Sequence, residues 1–160
     1  MSRIKVITDP SDLVPMFRAV DTKVKREVLK LITLEWHTSK EIEQLFGSEG
    51  REALVFFEKM KLVETRWQSS SEQQPEKGYH TYYTSFHINA SWPVYEISDV
   101  LAAAVMDEKE FKKIEKKIVD LAGDVAETLG VTFTMLKSIV KRSARLDYRG
   151  HRIESRNDIE

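Results

Sequence analysis

The stretch TSKEIEQLFGSEGREALVFFEKMKLVETRW, residues 38–67, narrows the possible folds of this chain more than any other. Its apolar residues recur at helical intervals on both sides of Gly47. Ile42, Leu45 and Phe46 should face inward from a short helix over 39–46, and Leu54, Phe57 and Met60 from a second over 49–60. Thr38 followed three positions on by Glu41 is a capping-box pattern for the first helix, and Gly47 ends it. Two short helices about a glycine have the helix-turn-helix order. Upstream, the spacing predicts a helix over 12–20 with Ser11 as its N-cap. A second, over 22–34, should bury Val24, Val28, Leu31 and Ile32.

Downstream, residues 62–67 read as a strand and the polar tract 68–78, with three consecutive serines, Pro75 and Gly78, as a mobile turn. Residues 79–89 follow as a half-exposed strand, in which Tyr82, Thr84, Phe86 and Ile88 alternate with Tyr83, Ser85 and His87. Three helices and then a hairpin with a long tip is the winged-helix arrangement. The opening FRAVDTKVKREVLKLI and the 38–67 motif together resemble the winged-helix transcription regulators of the ArsR and MarR type, over residues 12–89. That resemblance implies that the 49–60 helix reads DNA, with Ser48, Glu49, Gly50, Arg51 and Glu52 facing bases or phosphates. Yet between residues 38 and 60 three basic side chains (Lys40, Arg51, Lys59) meet five acidic ones, a poor surface to set against phosphate.

After Pro93, Val94, Ile97, Leu101 and Val105 form a helical stripe, and a further helix from about Asp107 should bury Phe111, Ile114, Ile118 and Leu121. In that helix Lys112, Lys113, Lys116 and Lys117 are balanced by Asp107, Glu108, Glu110, Glu115 and Asp120, as on an ordinary exposed face. The apolar stripes over 93–121 need a partner, and pairing with a second copy is expected there.

Residues 122–145 make a second helix-turn-helix candidate. Val125, Ala126 and Leu129 point inward from its first helix, Gly130 supplies a positive-φ turn, and Thr132 caps a helix that buries Leu136, Ile139 and Val140. Thr134, Lys137, Ser138, Lys141, Arg142 and Arg145 are read as outward-facing. The whole chain has a net charge of -1, so any nucleic-acid surface must come from local segregation of charge. From Lys137 to Arg156, seven basic residues face two acidic ones, a net of +5. Such a basic end on a near-neutral protein fits a nucleic-acid footprint.

Composition closes other routes. There is no cysteine, so neither disulfides nor thiolate metal sites are available. Of the four histidines, His80 and His87 lie seven apart on one expected strand and should point to opposite faces. No phosphate loop, nucleophile elbow or HExxH pattern occurs, so no enzyme, metal or cofactor is expected. No apolar run is long enough for a membrane helix, and the N-terminus lacks the apolar stretch of a signal peptide, which points to a cytoplasmic protein without a membrane partner.

The chain is therefore expected to be mainly α with a small antiparallel β wing. A winged-helix domain (10–92) would lead through a helical connector for dimerisation (93–121) to a C-terminal helix-turn-helix with a basic extension (122–154) and a tail (155–160). The expected function is sequence-specific, double-stranded-DNA-binding transcriptional regulation as a homodimer. On a DNA-binding helix running from Thr132 to Arg145, Thr134, Lys137, Ser138 and Arg142 would lie nearest the bases, and Lys141, Arg145, Arg149 and Arg152 on phosphates. Arg51, Lys23, Lys25, Arg26 and Lys77 would form a second footprint through the winged helix. The patterns YHTYYTSFHINASWPVYEISDVL and MLKSIVKRSARLDYRGHRIE also resemble a group of euryarchaeal regulators, among them the archaellum regulator family, which implies an archaeal activator of archaellum genes. The alternative is a winged-helix protein-interaction module that acts on transcription machinery without touching DNA.

Overall fold

The computed structural model describes residues 3–69, 74–89, 91–120, 129–149 and 152–155. In chain order its elements are β1 (Ile4–Ile7), a 3-10 turn (Pro10–Asp12), α1 (Leu13–Ala19), α2 (Lys23–Leu34), β2 (His37–Thr38), α3 (Ser39–Lys59), β3 (Val63–Ser69), β4 (Pro75–Thr81) and β5 (Ser85–Ile88). They continue with α4 (Val94–Val105), α5 (Glu108–Asp120), α6 (Phe133–Arg142), β6 (Leu146–Arg149) and β7 (Arg152–Ser155). The chain is mostly helical; β2, β4 and β3 form a small antiparallel sheet compatible with a winged helix, β6 and β7 form an antiparallel pair, and β1 pairs with β5. It divides into two compact units, Met1–Val6 with Ala19–His87 and Ile7–Arg18 with Ile88–Glu160.

In the first unit, the Thr22 side chain accepts from the Lys25 backbone N–H at 3.1 Å and starts α2, which buries Val28 and Ile32. Thr38 and Glu41 form the full reciprocal capping box at the start of α3. Continuous helix then breaks at Gly47, where φ is 68° and ψ -155°, a conformation that disfavours a Cβ. The second half of α3 crosses the first so closely at Gly50 that an added Cβ would lie 2.8 Å from the Phe46 Cβ. The core gathers Val28, Ile32, Ile42, Ala53, Leu54, Phe56, Phe57, Leu62 and Tyr79, and each large side chain so buried contributes about 1.5–3 kcal/mol. β4 lies between β2 and β3, with Thr65 opposite Tyr79 and Trp67 opposite Lys77.

Several expectations are corrected here. Leu45 points outward and is 63% exposed, whereas Gly50, expected on the outer face, is buried. Among the described residues of the polar tract, 68–69 end β3 and 75–78 open β4, which begins at Pro75, since a missing N–H is tolerated at a strand's first residue. The run 79–89 is not one strand. It turns away at 82–84, and β5 pairs with β1, an element not anticipated from the N-terminal sequence. His80 and His87 therefore lie on different strands.

In the second unit Asp9, not Ser11, caps the turn that leads into α1. Its carboxylate accepts from the Ser11 backbone N–H at 3.0 Å and from the Ser11 hydroxyl at 2.6 Å. α4 buries Val100, Ala103 and Ala104, while α5 buries Phe111 and Ile118 with Ile114 half-buried; Leu121 lies outside the described residues. Gly130 adopts the expected positive φ, 68°. The preceding positions Val125 and Ala126 lie outside the described residues. After α6 the chain forms a β6–β7 hairpin where only a basic extension was expected.

Candidate nucleic-acid interface

α6 is built as expected and placed otherwise. Thr132 accepts from the Met135 backbone N–H at 3.1 Å, which starts the helix, and donates its hydroxyl proton to Asp99 on α4 at 2.7 Å. Leu136, Ile139 and Val140 are buried as predicted. Ser138 and Arg142, expected to face outward, are buried too. The Arg142 guanidinium donates to the carbonyls of Ala103 at 3.0 Å and Met106 at 2.7 Å, satisfying the end of α4. It also donates to Glu108 at 3.0 Å and lies 4.3 Å over the Phe111 ring.

The lysines of α6 are also engaged. Lys137 pairs with Asp9, and Lys141 pairs with Asp12 and approaches Asp9 at 3.9 Å. Burial pushes the Asp9 carboxyl up, but the hydrogen bonds from Lys137 and from the Ser11 hydroxyl and backbone, with the charge of Lys141, outweigh it and bring it down to about 2. Thr134 is half-buried and Arg145 exposed. Arg149 and Arg152 oppose each other in the β6–β7 register; their side chains lie outside what is described, as does Arg156. Three of the seven basic residues counted in the C-terminal segment are thus matched by carboxylates from distant sequence. The outward placement of Ser138 and Arg142 is corrected accordingly, both being buried, while the half-buried Lys137 and Lys141 are tied to carboxylates at and beside the turn at Pro10–Asp12.

The first unit carries the other footprint. Arg51 stands on the second half of α3 with its side chain 58% exposed, 3.9 Å from Glu43, and Ser48, Glu49 and Glu52 are exposed around it. Lys23 is exposed on α2. Lys25 pairs with Asp21 at 3.0 Å and lies over the Phe56 ring, so it serves packing. Arg26, exposed, donates to the Val20 carbonyl at 2.8 Å. Lys77 pairs with Glu58 on α3. Trp67, not singled out as a surface residue by sequence, is 72% exposed on β3. Trp36, by contrast, stacks on the His80 ring and has the Arg66 guanidinium over its own ring, and Trp92 donates to the Thr8 carbonyl.

His37 lies 3.1 Å from Glu41, and His80 3.4 Å from Glu64. Among the described residues, no group of three or more His, Asp or Glu side chains could hold a metal ion. None of the described helices is long and apolar enough to cross a membrane.

A broken two-helix element followed by a small antiparallel sheet, in a chain otherwise mostly helical, has the build of a small transcription regulator. The family model for the ArsR transcriptional regulator matches residues 7–157, and the chain belongs to that family. Membership points to a DNA-binding, non-enzymatic regulator. A comparison with curated proteins finds no match.

Proposed function

We propose that this ArsR-family chain is a sequence-specific DNA-binding regulator whose duplex-reading surface is the second half of α3, in a winged helix formed by α2, α3, β3 and β4. The observation that carries this is the break at Gly47 with the close crossing at Gly50. Together they leave Ser48, Arg51, Glu52 and Val55 on the outer face of α3, at the spacing of one helix side. Arg51 is the base- or phosphate-contacting residue of that face, with Lys23 and Arg26 as backbone contacts on α2. Arg145, with Arg149 and Arg152 of the β6–β7 hairpin, supplements them on phosphate. Lys137, Ser138, Lys141 and Arg142 hold the second unit together instead.

The protein acts as a two-fold dimer in the cytoplasm, which suits a two-fold operator. The α4 stripe supports this, since Val94, Leu101 and Val105 stand 87%, 43% and 79% exposed on a helix whose other side is core. Activation of archaellum genes in an archaeal host is a narrower proposal, supported only by the sequence resemblance over 79–101 and 135–154.

A gel-shift titration with the region upstream of the chain's own gene tests the main proposal. Binding to that fragment should persist in excess competitor DNA and fall steeply with added salt. The five-to-three acidic excess of residues 38–60 and the exposed Leu45 and Trp67 favour a second possibility, docking on transcription machinery. Absence of any duplex binding would decide for it.

A further inference from the structure

We infer that the outer face of α5 is a second DNA-backbone contact, formed by Lys109, Lys112, Lys113, Lys116 and Lys117; this rests on the DNA-binding proposal above. The sequence balances the last four of these lysines against neighbouring carboxylates, but the structure does not. Phe111 and Ile118 turn into the core, and all five lysines are exposed on the opposite side, at successive spacings of three and one.

The carboxylates that should neutralise them are engaged elsewhere. Asp107 accepts from the backbone N–H groups of Lys109 at 2.9 Å and Glu110 at 3.3 Å. Glu108 is held by Arg142 at 3.0 Å and Arg18 at 3.3 Å, and Glu115 accepts from the Ser143 hydroxyl. Among the described residues, only Glu110 and Asp120 remain exposed on α5 without such a partner, and none of the five lysines forms an ion pair. Like charges at these intervals disfavour an isolated helix.

The chemistry selects the partner. A two-fold contact with a second copy through this face would set lysine against lysine. A membrane surface would want the apolar side of the helix, and that side is core. Protein interfaces are depleted in lysine and centred on aromatic anchors, and this face has none. A phosphate backbone asks only for a row of positive charge. From Lys109 to Lys117 the row is about 12 Å long at ~1.5 Å per residue. That matches the axial rise of about three phosphates of one strand at ~3.4 Å each.

The test uses the full chain carrying Lys112→Gln, Lys113→Gln, Lys116→Gln and Lys117→Gln together, with the fourfold Lys→Arg variant as control. Circular dichroism and the thermal midpoint confirm that both are folded. The Gln variant should bind the promoter fragment and random competitor DNA more weakly by the same factor, at least ~10-fold at ~0.15 M salt. The slope of log K against log salt should fall by about 2–3, at ~0.9 per lost phosphate contact. The Arg variant should keep wild-type affinity. An unchanged slope in the Gln variant, with wild-type protein binding normally, overturns this inference and leaves the α3 proposal standing. Loss of binding to phosphatidylserine vesicles with DNA binding intact also overturns it, in favour of a membrane surface. Failure of wild-type protein to bind any duplex removes both proposals.

Discussion

Arg142, the last residue of α6, donates to Glu108, the first residue of α5, at 3.0 Å, and does so from a side chain only 2% exposed. The same guanidinium closes the carbonyl end of α4 through Ala103 and Met106. Three helices of the second unit thus meet on one cation. Arg142→Ala would leave the Ala103 and Met106 carbonyls without this donor, leave Glu108 to Arg18 alone and open space over Phe111. The expected loss is about 3 kcal/mol, read as a lower urea midpoint. Arg142→Lys should recover only part of it, because an ammonium cannot reproduce the fork.

The acidic turn makes stability depend on pH in a defined direction. Asp9 titrates at about 2 in the folded chain against an ordinary 3.8. A depressed folded value means that its contribution is complete above the unfolded pKa and is lost as pH falls from about 4 towards 2. With solvent screening of this partly exposed pair, the contribution is about 1 kcal/mol. Asp9→Asn should remove that component, seen as a flatter dependence of unfolding free energy on pH across this window.

The two glycines of α3 should respond differently to alanine. At Gly50 a Cβ would meet the Phe46 Cβ at 2.8 Å and the Ile42 Cγ2 at 3.0 Å, so Gly50→Ala forces the two halves of α3 apart at a cost of about 2 kcal/mol. At Gly47 a Cβ meets nothing within 4 Å, but φ 68° with ψ -155° lies in a region nearly confined to glycine, and the cost is backbone strain alone, about 1–3 kcal/mol. Thermal unfolding should show a lowered midpoint for both variants, and only at Gly50 should trimming the facing side chain with Phe46→Ala relieve part of the cost of the added methyl.

Dimerisation through α4 should be sensitive to charge on its exposed side. Leu101→Glu combined with Val105→Glu should yield a monomer by light scattering at micromolar concentration, with the far-UV spectrum unchanged. Wild-type protein that is itself monomeric under the same conditions would count against the dimer.

The first unit was legible in the sequence because its signals are local. The capping box at Thr38, the break at Gly47 and the apolar spacing of Val28, Ile32, Leu54 and Phe57 each act within a few residues. The second unit was misread where partners lie far apart in the chain. Lys137 and Lys141 meet carboxylates 128 and 129 positions earlier, which no count of local charge reveals. Arg142 and Ser138 lie on a polar stripe by periodicity, yet that stripe is covered by α4 and the N-terminal turn. Likewise the β1–β5 pairing joins strands about eighty residues apart, so a short N-terminal run carried no signal of it.

The assignment of DNA contact to α3 and not to α6 is tested most directly by two single substitutions in one gel-shift series on the promoter fragment. Arg51→Ala should weaken binding about 10-fold, the size of one lost contact, while Lys141→Ala should leave affinity per folded molecule unchanged. Undiminished binding by Arg51→Ala together with loss of binding by Lys141→Ala would contradict the account.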